Sequence, residues 1–341
     1  MPRKANQNAS RAATLHDVAG KVGVSAITVS RALNSPDLVS EKLRAQILAA
    51  VDELGYVPNR SARTLVSSRS HTVAVLIPSL SNTVFIDTLA GINEVLDPKG
   101  YQILIGNTAY DDEKEERLLR AYLSHAPDGV LLTGTRQRPE MRQRLAKLGI
   151  PAVHMMELDP SNERLCVGFS QDEAGRQITT HLLERGYRRI AFFGARLDPR
   201  VMQRLDGYRK ALQAAGCYAP ELEYLNPKPS RIGLGVEMLE VLRREHPDCD
   251  AVFCCNDDLA LGVLTGSHRI GIKVPEQLAV VGFNDLEGAA WATPTLTSVR
   301  TPRYRIGFEA ASLLLKLMEG HNVPEQRQLD LGFELKLRGS S

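Results

Sequence analysis

The stretch LHDVAGKVGVSAITVSRAL, residues 15–33, predicts two short helices joined by a tight turn. Thr14 and Asp17 have the spacing of a helix N-cap and the third helical residue. Gly23 ends the first helix, because glycine tolerates the positive φ of a tight turn, and Ser25 caps the second. Two such helices form a helix-turn-helix. The apolar residues expected to face inward are Leu15, Val18, Ala19, Val22, Val29, Ala32 and Leu33.

The outer side of the second helix, residues 26–33, carries small, polar and cationic side chains. Groups of these types suit a DNA groove. The alternative is an ordinary helical hairpin in a protein core, and we disfavour it because the features that follow also indicate DNA binding. The side chains available on or just after this helix are those of Ile27, Thr28, Ser30, Arg31 and Asn34.

Positive charge is concentrated near the N-terminus. Residues 1–70 hold 10 Lys and Arg against 5 Asp and Glu, whereas the remaining 271 residues hold 32 against 35. A basic head on a slightly acidic body predicts that only the head meets nucleic acid. Residues 1–13 are basic but contain no apolar segment, so we expect a disordered arm rather than a secretory signal.

The cysteines and the apolar runs indicate the compartment. The five cysteines are odd in number and follow no metal-ligand spacing, so we expect buried free thiols and a reducing cytoplasm. No apolar run approaches membrane-spanning length, which predicts no contact with a membrane. The cysteines are Cys166, Cys217, Cys249, Cys254 and Cys255.

Two further helices are predicted after the helix-turn-helix. Ser40 can cap the first of these and Gly55 ends it, which completes a three-helix head. Asn59 can then cap a helix of about two turns, which is marginal alone in water. This short helix carries two cations for phosphate groups and one apolar side chain, namely Arg60, Arg63 and Leu65.

These segments together resemble the N-terminal region of LacI-family transcription repressors. The resemblance rests on LHDVAGKVGVSAITVSRALN and VSEKLRAQILAAVDELGYVPNRSARTL, which span the whole head and hinge. It implies that residues 26–33 lie in the major groove and that residues 59–65 form a hinge helix that folds on operator DNA. Leu65 would then enter the minor groove, where an apolar wedge can kink the duplex.

The resemblance places base-reading positions at the start of the recognition helix. Ala26 and Ile27 occupy them, so we expect contact with thymine methyl groups, while Arg31 can pair with guanine. The full set of predicted DNA contacts is Ser25, Ala26, Ile27, Thr28, Ser30, Arg31, Asn34, Asn59, Arg60, Ala62, Arg63 and Leu65.

From residue 71 onward, short apolar runs alternate with amphipathic helical stretches. This alternation predicts an α/β body of doubly wound parallel sheets. About six units are present, so two similar subdomains with a cleft between them fit better than one sheet. Ligands of such sheets bind beyond the carboxyl ends of the strands. The apolar runs are residues 73–78, 102–107, 129–134, 152–156, 189–195, 251–257 and 278–285.

The body also resembles the LacI family, and therefore periplasmic sugar-binding proteins, through SLSNTVF, CNDDLALG, VPEQLAVVGFND and TPTLTSVR. The resemblance implies a homodimer, with a tetramer less expected, and crossovers between subdomains near Ser170, Thr297 and Gln328. The expected boundaries are 1–13 for the arm, 14–58 for the head, 59–70 for the hinge helix and linker, 71–170 with 297–327 for the N-subdomain, and 171–296 with 328–341 for the C-subdomain.

The same resemblance implies an effector site. Arg200 stands where many members have Ser or Thr, and Asn284 where many have an aspartate. Together they add a positive charge and remove a negative one, which suits a carboxylate or phosphate better than a neutral sugar. Alternatively, Arg200 is a solvated loop residue. The implied effector contacts are Phe85, Arg200, Arg204, Ser230, Asn256 and Asn284, with Asp257 close by.

The segment FFGARLDPR further resembles the gluconate-utilisation repressors within the family. We therefore expect a sugar acid as effector: gluconate, 2-ketogluconate or 6-phosphogluconate. A neutral sugar or a purine-like ligand is the alternative.

Two other classes of protein compete with a DNA-binding regulator. An enzyme is disfavoured because the sequence contains no G-x-G-x-x-G, G-x-x-x-x-G-K-[ST], G-x-S-x-G or H-E-x-x-H motif. A sugar-binding protein without regulatory function is disfavoured by the helix-turn-helix. We expect no metal and no cofactor, and the predicted partners are operator DNA, a small effector and a second copy of the chain.

Overall fold

A computed structural model describes residues 13–34, 36–57 and 69–341, with Asn34 and Pro36 as backbone only. The chain divides into two compact units, residues 1–70 and 71–341. The predicted arm lies outside the described residues up to residue 12. The predicted hinge-helix residues also lie outside them, namely Asn59, Arg60, Ala62, Arg63 and Leu65.

The head begins with a helix whose start is fixed by a capping box. The Thr14 hydroxyl accepts the Asp17 N–H, and the Asp17 carboxylate accepts the Thr14 N–H at 2.7 Å. Gly23 ends this helix with a φ of 75°, as predicted. Ser40 stands at its predicted N-cap position, but its side chain makes no capping bond. The helices are α1 (Leu15–Val22), α2 (Ala26–Asn34) and α3 (Glu41–Leu54), with a 3-10 turn at Pro36–Leu38.

All three helices contribute to one small core. Val18 of α1, Val29 of α2 and Ile47 of α3 have no exposed surface. The Lys21 ammonium pairs with the Glu53 carboxylate at 2.6 Å and joins α1 to α3 at the surface. Exposed ion pairs add little stability, so apolar burial holds the head together.

The body contains two six-stranded sheets. The strands are β1 (Thr72–Ile77), β2 (Gln102–Asn107), β3 (Gly129–Thr133), β4 (Ala152–Met155), β5 (Cys166–Gly168), β6 (Ile190–Ala195), β7 (Glu223–Asn226), β8 (Ala251–Cys254), β9 (Ala279–Asn284), β10 (Thr297–Arg300), β11 (Gln328–Asp330) and β12 (Glu334–Lys336).

Helices connect most of these strands. They are α4 (Thr83–Leu96), α5 (Asp112–Leu123), α6 (Pro139–Lys147), α7 (Gln171–Glu184), α8 (Pro199–Ala214), α9 (Ile232–Glu245), α10 (Asp257–Arg269), α11 (Glu287–Trp291) and α12 (Arg303–Met318), with 3-10 turns at Asp97–Lys99 and Pro220–Leu222. Within the described ranges, no helix has the length and apolar character needed to cross a bilayer.

Both sheets have the doubly wound order. The first runs β11-β5-β4-β3-β1-β2 and is parallel throughout, and the second runs β12-β10-β9-β8-β6-β7 with only β12 antiparallel. Alternate residues of β1 pack on opposite sides of the first sheet. Val75 belongs to the cluster that includes Ile92 of α4, whereas Leu76 packs with Leu119 of α5. Helices therefore cover both faces.

Two of the three expected crossovers lie a few residues later than predicted. The first falls between β5 and α7, at the expected Ser170. Strand β10 belongs to the second sheet, so the next crossing follows Arg300 instead of preceding Thr297. Strand β11 belongs to the first sheet, so the last crossing follows Asp330 instead of Gln328. Strands β10 and β11 are short and largely polar, so they lack the apolar run that marks a buried parallel strand. The sequence therefore contains no signal of the sheet to which each strand belongs.

Candidate functional site

The predicted DNA-contacting side chains on α2 differ in how far they are exposed to solvent. Ile27 is 65% exposed, and Arg31 is also exposed. The Ser25 hydroxyl accepts the Thr28 N–H at 3.1 Å, so it caps the helix as predicted. Ala26 is half-buried and packs against the head core. Thr28 and Ser30 are half-buried, and nothing is described for the Asn34 side chain.

In the body, a cavity of about 150 Å³ lies between the two sheets at the carboxyl ends of their strands. Residues that follow β1, β2 and β8 line it, together with the ends of β6 and β9. This is where doubly wound sheets bind ligands. Six of the seven predicted effector contacts line the cavity, namely Phe85, Arg200, Arg204, Ser230, Asn256 and Asn284.

Arg204 on α8 supplies a buried cation to this cavity. Its Nε donates to Gln171 Oε1 at 2.8 Å, and its Nη1 donates to the carbonyl oxygen of Cys255 at 2.6 Å. Its guanidinium carbon lies 3.7 Å from the ring centroid of Phe283. Both hydrogen-bond acceptors are neutral. Burial lowers the pKa of Arg204 to about 10, so the group still carries its charge at neutral pH.

A glycine lets Arg204 reach this position. A Cβ atom on Gly175 of α7 would lie 2.3 Å from the carbonyl oxygen of Arg204 and 2.9 Å from its Cα. Helices α7 and α8 therefore touch backbone to backbone at the point from which Arg204 extends. Gln171, one turn before Gly175, then lies within hydrogen-bond distance of the guanidinium.

Arg200 lies on the same helix, one turn before Arg204. Its Nε pairs with Asp198 Oδ1 at 3.2 Å, and the same carboxylate accepts the Arg200 N–H at 3.1 Å as the cap of α8. Burial opposes ionisation of Asp198, but the charges of Arg200 and Arg204 lower its pKa. The alternative of a solvated loop residue is wrong, because the Arg200 side chain is only 12% exposed. The charge that Arg200 adds is, however, partly offset by Asp198.

A third arginine, which the sequence reasoning missed, also lines the cavity. The guanidinium carbon of Arg196 lies 4.1 Å from the ring centroid of Tyr110, and that of Arg200 lies 5.9 Å from it. Tyr110 follows β2 of the first sheet and Arg196 follows β6 of the second, so this contact joins the two subdomains. Asp258 is a further acid in the lining.

The neutral polar contacts are already ordered by other groups. The Ser230 hydroxyl donates to Asn256 Oδ1 at 2.8 Å, and that amide oxygen also accepts the Leu259 N–H as the cap of α10. Asn284 has a φ of 105°, and its carbonyl oxygen accepts a hydrogen bond from Nη1 of Arg303. The Ser230 and Asn256 side chains and the backbone of Asn284 are therefore positioned before any ligand arrives.

Asp257 does not face the cavity, which corrects the prediction that it lies close to the effector. It has no exposed surface. One carboxylate oxygen accepts the Ser298 hydroxyl and the other accepts the Leu286 N–H, both at 2.6 Å. Burial raises the pKa of Asp257 to about 7, against the lowering effect of these hydrogen bonds. Its role is to tie α10 to β10.

Comparison with known proteins decides the family. The model for bacterial regulatory proteins of the lacI family matches residues 14–59, and the model for a periplasmic binding protein-like domain matches residues 179–341. The HTH-type transcriptional regulator GntR of Pseudomonas aeruginosa is 50% identical over 328 residues, which cover 96% of this chain and 95% of that protein. The chain belongs to the LacI family.

Two solved structures of LacI-like regulators are similar to this one. The transcription regulator GntR from Chromobacterium violaceum is 57% identical, with a TM-score of 0.77 over 79% of this chain and 99% of that chain. A LacI-family regulator from Silicibacter pomeroyi is 36% identical, with a TM-score of 0.89 over 96% of this chain and 99% of that chain. The predicted fold class and family resemblance are confirmed.

This LacI-family protein is a DNA-binding transcriptional regulator. Its relatives are named as transcriptional regulators, which confirms the prediction that it is not an enzyme. One residue that the effector-site prediction missed, Asp198, did have a sequence signal, because it stands two residues before Arg200 as a helix cap. Nothing in the sequence indicated that Tyr110 lies against Arg196.

Proposed function

We propose that this LacI-family regulator represses its target genes and responds to a sugar acid bound between the two sheets. The observation that supports the proposal most is the buried Arg204 guanidinium, whose direct acceptors are neutral. A ligand carboxylate would supply the countercharge through charge-assisted hydrogen bonds. Arg196 and Arg200 also line the cavity, against the two carboxylates of Asp198 and Asp258, so positive charge is in excess.

The remaining lining suits the hydroxyl groups and carbon chain of a sugar. Ser230, Asn256 and Asn284 offer neutral polar groups, and Phe85 offers an apolar face. An aspartate in place of Asn284 would repel a ligand carboxylate, whereas the amide does not. The GntR name of two of the related proteins agrees with the predicted resemblance to the gluconate-utilisation repressors. Gluconate is therefore the first ligand to test.

Isothermal titration of the whole protein tests this proposal. Gluconate, 2-ketogluconate and 6-phosphogluconate are compared with neutral glucose, using the wild type, Arg200→Ser and the control Arg244→Ser. The Arg244 side chain is 70% exposed. We expect Arg200→Ser to weaken sugar-acid binding about tenfold or more, the value of one charge-assisted hydrogen bond. Its operator affinity without ligand should match that of the wild type.

Two outcomes would contradict the proposed effector class. One is that the wild type binds glucose better than every acid. The other is that Arg200→Ser binds the acids as tightly as the wild type does. An acid that acts as the effector must also change the affinity of the regulator for its operator. It can do so only if it binds the DNA-binding conformation and the released conformation with different affinities. The resulting coupling free energy is typically about 1–3 kcal/mol. A mobility-shift titration with and without the acid measures this coupling.

We propose further that the regulator binds DNA as a homodimer. A two-fold protein reads two half-sites, so we expect a pseudo-palindromic operator of about 14–20 base pairs. The exposed Ile27 and Arg31 on α2 are the described side chains best placed to read each half-site. Footprinting tests this proposal, and protection of a single asymmetric half-site by a monomer would overturn it.

A further inference from the structure

Arg303 joins the two subdomains of the body beside the effector cavity. It is the first residue of α12, a helix that packs on the first sheet. Its Nη1 donates to the carbonyl oxygen of Asn284, at the end of β9 in the second sheet. Its Nε donates to Asp87 Oδ2 of α4, on the side of the first sheet, at 2.9 Å. One guanidinium therefore holds a helix of one subdomain and a strand end of the other.

The α4 end of this link is rigid, because α4 and α12 touch backbone to backbone. A Cβ atom on Gly91 of α4 would lie 2.2 Å from the carbonyl oxygen of Tyr304, and one on Gly307 of α12 would lie 2.0 Å from that of Thr88. The Thr88 hydroxyl also donates to the carbonyl oxygen of Arg303 at 3.2 Å. Because packed backbones cannot slide past each other, α4 and α12 move as one body.

The other end of the link is part of the wall of the effector cavity. Asn284 lines the cavity, and the ring of Phe283 lies 3.7 Å from the guanidinium carbon of Arg204. Asn284 and Asp285 have φ angles of 105° and 51°, which residues other than glycine rarely adopt. Such a backbone persists only where its surroundings hold it. The bond from Arg303 to the Asn284 carbonyl oxygen is one of the contacts that do so.

The bond between the subdomains is sensitive to their arrangement. A relative displacement of about 1 Å at this point would carry the Asn284 oxygen out of hydrogen-bond reach of Arg303. The bond from Arg303 to Asp87 would persist, because α4 and α12 move together. Arg303 therefore favours one arrangement of the subdomains. Because its side chain is only 14% exposed, we expect this preference to approach the roughly tenfold worth of one charge-assisted hydrogen bond.

We propose that Arg303 is a positioning residue that links the effector cavity to α4, with Asp87 orienting its guanidinium. A ligand that contacts the Asn284 side chain moves the backbone to which Arg303 donates, and Arg303 passes that change to α4. The proposal deepens the proposed effector response and rests on it for one of the two measurements below. It requires Asp87 to act on the regulator only through Arg303.

A double-mutant cycle in operator affinity tests this link without any ligand. Mobility shifts on the footprinted operator compare the wild type, Arg303→Met, Asp87→Ala and the double variant. The control is Arg305→Met, which removes an exposed cation from the same helix. Methionine keeps the packing of the arginine stem. We expect Arg303→Met to change operator affinity about fivefold, Asp87→Ala to change it about twofold to threefold in the same direction, and the double variant to match Arg303→Met.

The response to gluconate is the second measurement, and a purely structural role would not alter it. It is the ratio of the operator affinities measured without and with gluconate. We expect this ratio to be at least about threefold smaller in Arg303→Met than in the wild type, and to be unchanged in Arg305→Met.

Three results would overturn the role of Arg303. They are an operator affinity that Arg303→Met leaves unchanged, additive effects in the double variant, and a gluconate response that Arg303→Met retains in full. Asp87→Ala changes a side chain that is 44% exposed, so an unchanged operator affinity in this variant decides against the link even if Arg303→Met does not fold. If gluconate leaves the operator affinity of the wild type unchanged, the proposed sugar-acid function fails, and the ligand-free cycle still decides the role of Arg303.

Discussion

Replacing Gly175 by alanine should separate two helices that hold the effector site. The added Cβ would lie 2.3 Å from the Arg204 carbonyl oxygen, whereas an ordinary contact of this kind is about 3.4 Å. Helices α7 and α8 must therefore move apart by roughly 1 Å. Overpacking of this kind costs about 1–3 kcal/mol, and the better helix propensity of alanine returns up to ~1 kcal/mol. We expect a net destabilisation of up to about 2 kcal/mol.

The same shift should weaken effector binding. Arg204 of α8 donates to Gln171 of α7 at 2.8 Å, and a displacement of about 1 Å between the two helices lengthens this bond beyond hydrogen-bond distance. Because the guanidinium then loses one of the two bonds that orient it, we expect the affinity for the proposed sugar-acid effector to fall about tenfold. Denaturant unfolding measures the stability, and calorimetry measures the affinity.

A matched glycine provides the control for this prediction. Gly233 lies on the exposed side of α9, and the nearest atom to an added Cβ is the flexible Arg231 Nη1 at 3.5 Å. Gly233→Ala should leave stability unchanged or raise it by up to ~1 kcal/mol, with no change in gluconate affinity. If Gly175→Ala behaved like Gly233→Ala in both assays, the proposed close approach of α7 and α8 would be wrong.

Two further predictions follow from buried titratable groups. Burial raises the pKa of Asp257 to about 7. The native state therefore keeps a proton that the unfolded chain loses near pH 4, and this group lowers the free energy of unfolding as pH rises from about 4 to 7. Asp257→Asn should gain stability relative to the wild type across that interval, and parallel pH profiles would contradict this. Of the five free cysteines, only Cys217 is not buried. Ellman's reagent should therefore react rapidly with one thiol in the folded protein and with five thiols after unfolding. Rapid reaction of several thiols in the native state would contradict that expectation.

Local signals made the head predictable. The capping box of Thr14 and Asp17, the positive φ of Gly23 and the end of α3 at Gly55 each depend on residues a few positions apart. The main strands of the body were predictable for a related reason. A strand buried on both faces must be apolar along its length, so β1 or β9 is visible as an uninterrupted run.

Only the tertiary structure decided where the polar residues of the body lie. Strand β10 is buried although it contains Thr297 and Ser298, because Ser340 and Asp257 satisfy their polar groups from more than forty residues away. The hydrogen bond between Ser298 and Asp257 also turns the Asp257 carboxylate away from the cavity.

The tertiary structure also decided which charged side chains meet at the effector site. The family resemblance named most of its residues, but Arg196 meets Tyr110 only because the ends of β6 and β2 face each other across the two sheets. A sequence determines which residues are apolar and where helices begin. The partners of a buried polar group depend on which strand ends the folded chain brings together, and those partners determine its charge, its pKa and whether it faces a ligand.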